Sequence, residues 1–347
     1  MSSFLEYFDD SHEFDKDYWE ILSERFKRLN FKMPNLNKNQ AYKSKRGIMI
    51  PNLVGTARGL HYTKKHDSVL KSVKGLITGN KNRVNFFALP GVPKEMKSMF
   101  TNYVLPEIEK SLKNKVVCKS IRTTGVPESI LQEKITDIID ANKEKCDIAF
   151  LPHRMLGVDI RLTSSDNQLV EDLINSIVPR IKKYVYGYDN DKLEQVIADL
   201  LIQNNLTVST AESCTSGLLA SRLTDVPGSS QYFKGGSVCY SNELKINDIG
   251  VDKDLIEKYG AVSEEVAESL AKNIAKKNNT DIGIGITGIA GPDGGTEKKP
   301  VGLVFVGIFY KNKLYIKKYN LTPDRFTNRE LTVTLCLNEI RKILRNS

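Results

Sequence analysis

Apolar positions along the chain change period several times, and each change marks an element. Phe4, Leu5 and Phe8, then Trp19, Ile21, Leu22, Phe26 and Leu29, recur near helical spacing and predict helix over residues 1–33. Gly, Pro and Asn break the pattern up to Gly59, apart from a short strand at Gly47–Pro51; Asn52–Gly59 is a loop free enough to follow a ligand closely. A buried strand at Val84–Leu89 runs through Pro90–Pro93 into a helix over Lys94–Ile108. Shorter runs follow in residues 115–185, with strands at Val116–Thr124, Asp147–Leu151 and Gly157–Leu162 and helices at Glu128–Ile139 and Val170–Val185. Tyr186–Asp191 is polar and turn-rich, the best domain boundary in the chain. Beyond it a helix at Leu193–Asn204 precedes strands near 206–210, 235–240, 282–287, 301–309 and 313–319, and a last helix covers Asn328–Leu344. Strands mixed with helices in this way predict an α/β protein of several domains. These are an α/β front domain at 1–110, a small α+β module at 111–188, and a C-terminal domain at 189–347 with a mixed sheet between helices.

Composition narrows the setting. At 347 residues and 40% hydrophobic, the chain can build two or three cores. It has no run of 18 apolar residues, and Met1–Asp10 is acidic without a charged-then-apolar leader. A cytoplasmic protein that spans no membrane is expected. The five cysteines lie far apart with no Cys-x-x-Cys, so neither a metal site nor a disulfide framework is indicated, and no cofactor is expected. The net charge of +9 comes from lysines scattered among asparagines and not from a basic stripe, so nucleic acid is not the expected partner. The histidines are His12, His61, His66 and His153, so a nucleophile in the last domain would need Lys, Tyr or a carboxylate as its base.

Candidate chemistry gathers in that last domain. Thr210-Ala-Glu-Ser-Cys-Thr-Ser-Gly217 joins a strand to a helical pattern through small hydroxylated residues, where free backbone amides can receive an oxyanion or a phosphate. Ser213 sits at the turn; Ser213 or Thr215 could equally be an ordinary helix cap, and Cys214 is a rival nucleophile. In the second cluster, Tyr240-Ser-Asn-Glu-Leu-Lys245, a cap at Ser241 or Asn242 would put Lys245 one turn into a helix, beside Tyr240 at a strand end. They could also be an ordinary surface Lys and a half-buried Tyr. The third, Asp281 to Gly295, is a strand with alternating isoleucines that ends at Thr287 and opens a loop bearing Gly288, Gly291, Gly294 and Gly295, without P-loop spacing. In the fourth, Leu321-Thr-Pro-Asp-Arg325, the arginine can clamp a phosphate or pair with Asp324 or Glu330.

These four clusters, with Gly260-Ala-Val-Ser-Glu264 and Lys299-Pro-Val-Gly302, occur in this order, so residues 190–347 resemble the C-terminal domain of the competence/damage-inducible CinA family. Residues 115–185 resemble its KH-like segment, although Gly125-Val-Pro-Glu128 lacks the second glycine of an RNA-clamping Gly-x-x-Gly, and the module is read as a spacer. Asn37-Lys-Asn-Gln-Ala41, the Asn52–Gly59 loop and Leu89-Pro-Gly-Val-Pro-Lys-Glu-Met96 resemble the later part of a molybdopterin-binding-like front domain. The strands and paired aspartates with which that domain opens are not found before Met1–Asp10, so the front region is expected to be shortened and either oligomerised or poorly stable.

The resemblance implies an amidohydrolase that converts nicotinamide mononucleotide and water to nicotinate mononucleotide and ammonia. It implies Ser213 as nucleophile, Lys245 and Tyr240 as proton carriers, and Thr215, Gly217, Thr287, Gly288, Gly291 and Arg325 around the substrate. A homo-oligomer is expected. The family usually has glycine where this chain has Ser216. The alternatives are a nucleotide pyrophosphatase acting on ADP-ribose in the front domain, and a non-catalytic competence- or damage-linked interaction protein.

Overall fold

Asp15 divides the helix expected over residues 1–33. Its carboxylate accepts the Tyr18 amide as an N-cap, so the segment becomes α1 (Ser2–Tyr7), a short strand β1 (His12–Phe14) and α2 (Lys16–Arg28). The computed structural model describes residues 2–65, 83–110, 112, 116–153 and 157–345, which cluster in two units, 1–115 and 116–347; His66 lies outside the described residues.

In the first unit β1 pairs antiparallel with β2 (Tyr42–Ser44), and β3 (Ile48–Ile50), β4 (Gly59–Lys65) and β5 (Arg83–Ala88) form a separate antiparallel sheet in that order. The pattern reading missed β4, whose polar Thr63 and Lys64 mask the buried Leu60 and Tyr62. Leu5 and Phe8 pack with those two residues. The helix expected at Lys94–Ile108 is α3 (Pro93–Met99), a π-helical turn at Phe100–Val104, and α4 (Leu105–Glu109).

The second unit opens with β6 (Val117–Thr123), α5 (Glu128–Asn142), β7 (Asp147–His153), β8 (Gly157–Ser164), α6 (Asn167–Ile181) and β9 (Val185–Tyr188). The sheet runs β7-β8-β6-β9, antiparallel throughout. Here the expected elements need correcting. The helix predicted to reach Val185 stops at Ile181, and the segment read as a polar break begins as β9, with Val185, Tyr186 and Gly187 buried. Alternation over four residues is too short to show against the flanking Gly and Asp.

The remainder is a sandwich. After α7 (Leu193–Gln203) come β10 (Val208–Glu212), α8 (Leu218–Thr224), β11 (Phe233–Val238), α9 (Asn242–Asn247), α10 (Lys253–Tyr259), α11 (Glu264–Asn278), β12 (Ile282–Gly288), β13 (Leu303–Tyr310), β14 (Lys313–Asn320) and α12 (Arg325–Arg345). The sheet order is β11-β10-β12-β13-β14, with the first three strands parallel and the β12–β13 and β13–β14 pairings antiparallel. Ile282, Ile284 and Ile286 point into one core with α7, α8 and α12. The alternate positions are glycine because α11 lies against them: a Cβ on Gly283 would stand 2.1 Å from the Ala271 carbonyl, and one on Gly285 2.5 Å from that of Ala267. No helix among the described residues is long and apolar enough to cross a membrane.

The far end of α12 is fastened to the small module. Arg341, 2% exposed, donates to the carbonyls of Val185 and Lys183 and to Asn338 Oδ1, each at 2.8 Å. The Asn338 side chain also covers Gly125, where a Cβ would stand 2.5 Å from Nδ2.

Candidate active site

Parallel strands deliver their carboxyl ends to one edge of a sheet, and the residue following each strand is exposed there. β11, β10 and β12 are such neighbours, with Glu212 opposite both Val238 and Ile286. Ser213 follows Glu212 and donates its amide to the Ile286 carbonyl at 3.0 Å, and the Cys239 amide reaches the Glu212 carbonyl at 2.9 Å. Ser213, Thr287 and Tyr240 are therefore brought together at three adjacent strand ends, although 74 and 27 residues of sequence separate the latter two from the first.

From Ser213 the chain turns tightly before entering α8. Ser216 has φ +52° and Gly217 φ +85°, both left-handed; glycine meets this at no steric cost, serine does not. The amides of Ser213, Ser216 and Leu218 are taken by the carbonyls of Ile286, Ser213 and Thr215, whereas those of Thr215 and Gly217 have no acceptor among the described residues. The Ser213 hydroxyl likewise has no partner there and is 7% exposed. Neither Ser213 nor Thr215 caps α8. The Glu212 carboxylate does, accepting from Leu219 at 3.1 Å and Ala220 at 2.8 Å.

Lys245 lies one turn into α9, which Ser241 caps by accepting the Leu244 amide. It is only 2% exposed, and its Nζ donates to the Tyr240 carbonyl at 3.2 Å. Burial holds its ammonium below the usual lysine range, with the nearby Cys239 and Cys214 thiols and Tyr240 pulling the other way. Tyr240 is half exposed, and its hydroxyl accepts from Arg325 Nη2 at 2.8 Å. Arg325 opens α12 three residues earlier than the sequence pattern predicted, because Asp324 caps the helix through the Thr327 amide. Its other donor reaches the Gly291 carbonyl at 3.0 Å, and Glu330 is bound by Arg222. A buried amine, a free hydroxyl and free amides thus share one sheet edge, a combination suited to acyl transfer.

Comparisons with known proteins give the family of the chain. The CinA C-terminal domain model matches residues 190–344, and the damage-inducible protein CinA KH domain model matches residues 118–187. A competence-damage inducible protein of Clostridium perfringens is 40% identical over 330 residues, 93% of this chain and 75% of its own. The chain belongs to the CinA family. A CinA-like protein of Dictyoglomus thermophilum is 37% identical over 329 residues, 94% of this chain and 76% of its own. The solved competence/damage inducible protein CihA of Agrobacterium tumefaciens is 35% identical and covers 44% of this chain and 93% of its own at a TM-score of 0.42.

Other predicted site residues of this CinA chain occupy less open positions. Thr215 is fully buried, its hydroxyl without a hydrogen-bond partner. Thr287 is 1% exposed and donates to the Ala261 carbonyl at 2.7 Å. Gly288 and Gly291 face other backbone: a Cβ would meet the Leu303 and Pro323 carbonyls, each at 2.8 Å. Cys214 is buried and its thiol is pushed up to about 12, so it is no thiolate near neutral pH. Two residues of the neighbourhood escaped the sequence reading. Glu212 carried a signal, an acid in a run otherwise destined for burial. Arg329, which donates to the Thr215 carbonyl at 3.0 Å, lies 114 residues away and carried none.

Proposed function

We propose that the C-terminal domain is an amidohydrolase acting on nicotinamide mononucleotide, releasing nicotinate mononucleotide and ammonia. Lys245 carries the reading: a lysine held inside the protein, below its usual protonation range, next to the strand end that bears an unpaired serine. Ser213 Oγ attacks the carboxamide carbon while its proton passes to neutral Lys245. The amides of Thr215 and Gly217 receive the developing oxyanion. Collapse of the adduct expels ammonia, protonated by Lys245 or by the Tyr240 hydroxyl, and water then cleaves the acyl-enzyme by the reverse proton path. Thr287, Gly288, Gly291 and Arg325 border the ribose and phosphate. The middle module serves as a spacer and not as an RNA clamp, since its Gly125 is packed against Asn338.

Ammonia release from nicotinamide mononucleotide, without added metal, tests the proposal. Ser213→Ala should lower kcat by about 10³-fold or more, as loss of a nucleophile does elsewhere. An undiminished rate would remove the nucleophile from the mechanism.

A further inference from the structure

A left-handed serine inside a nucleophile turn must be held there by its surroundings. Ser216 at φ +52° costs roughly 1 kcal/mol against a glycine, and its neighbours supply the restraint. Its amide and its hydroxyl both reach the Ser213 carbonyl, at 3.1 and 3.2 Å. The preceding carbonyl, of Thr215, accepts from the Leu218 amide at 3.2 Å and from Arg329 Nη2 at 3.0 Å.

Arg329 is an expensive way to make one hydrogen bond. It forms no ion pair among the described residues; the carboxylate beside it in sequence, Glu330, is bound by Arg222. Its Nε is buried without a partner. It sits one helical turn after Arg325 on α12, so one helix sends a guanidinium to Tyr240 and another to the nucleophile turn.

The geometry points to Arg329 as the positioning residue of the nucleophile turn: by holding the Thr215 carbonyl it fixes the Thr215–Ser216 peptide, which lies between the peptides bearing the Thr215 and Gly217 amides, and so keeps the turn that presents those two amides to the carbonyl under attack in one conformation. The inference rests on the reading of Ser213 as nucleophile. Arg329 touches no reacting atom; it acts through the backbone and lends positive charge to a turn that must accept a negative one.

The test uses the full chain with Arg329→Ala, Arg329→Lys, Ser216→Gly and the Ser216→Gly/Arg329→Ala double variant. Two readouts are followed: kcat and KM for nicotinamide mononucleotide, and the rate at which an alkyl fluorophosphonate modifies Ser213. That probe adds to the hydroxyl, expels fluoride and loads the same amides, whatever the natural substrate. Arg329→Ala should lower kcat and probe reactivity together, by about 10-fold or more, with KM changed less than about 3-fold. Arg329→Lys should recover part of both, since it keeps the charge and one donor. In the double variant the loss should exceed the product of the single losses, because glycine frees a turn that has lost its tether. Unchanged kcat and probe rate in Arg329→Ala, or losses no larger than the drop in folded fraction measured by circular dichroism, would overturn the assignment, as would strict additivity. If the unaltered chain releases no ammonia, the substrate reading falls while the probe rates still decide the role of Arg329.

Discussion

Lys245 shows how a residue's surroundings decide its chemistry. On an exposed helix it would be a solvated ammonium; 2% exposed, it is held below its usual range because burial penalises charge. The sign of the linkage follows. Between the lowered native value and the ordinary 10.5 the unfolded chain binds the proton more readily, so this group's contribution to stability rises with pH across that window. Lys245→Met should therefore raise stability near neutral pH, by on the order of 1 kcal/mol, while reducing amidase activity at least 100-fold. In the unaltered enzyme kcat should climb with pH below 10.5 and level off once the amine is neutral; pH–rate profiles and thermal melts of both proteins check this. A flat profile would take Lys245 out of the proton path. Cys214, adjacent to Ser213, makes the complementary point. Two nucleophile types stand side by side in the sequence, and burial lifts the thiol to about 12, so Cys214 carries no thiolate near neutral pH.

At the scale of elements, the strand–turn–helix from β10 to α8 was legible as a unit but not in its internal wiring. Small hydroxylated residues before an apolar helical run read as caps, yet α8 is capped from behind by Glu212, the last residue of the strand. That cap leaves Ser213 and the Thr215 and Gly217 amides unencumbered. Glu212→Gln replaces one acceptor by a donor facing a backbone amide, and should lower stability by about 1–2 kcal/mol. Chemical denaturation reads the loss; an unchanged midpoint would show that α8 finds its cap elsewhere. The strand positions of this domain were recovered within a few residues, since isoleucine alternation and the turns between strands are local signals. The short β9 and the polar β4 were not, because each owes its strand form to a partner: β9 to Ile121–Thr123 of β6, β4 to β3 and β5.

Across the second unit as a whole, α12 joins two functions. Its first turns reach Tyr240, Gly291 and Thr215, and its last turns reach the small module through Arg341 and Arg345, which donate to Val185, Lys183 and Tyr186 carbonyls. Arg341→Met strands the Lys183 carbonyl and Asn338 Oδ1 and leaves the Val185 carbonyl with Arg345 alone, and should cost about 3 kcal/mol. Arg345→Met, at an exposed position, should cost less than about 1 kcal/mol. Equilibrium unfolding of the two variants compares them, and equal losses would mean that the seam does not depend on the buried guanidinium. The sequence by itself determined the α/β class and the family, because hydrophobic period and short motifs are carried by near neighbours in the chain. Only the tertiary structure decided which of the candidate residues share a sheet edge, that Lys245 is buried, that Glu212 is the cap, and that Arg329 holds the Thr215 carbonyl. Those facts depend on burial and on contacts across 7 to 114 residues of sequence, which local patterns do not encode.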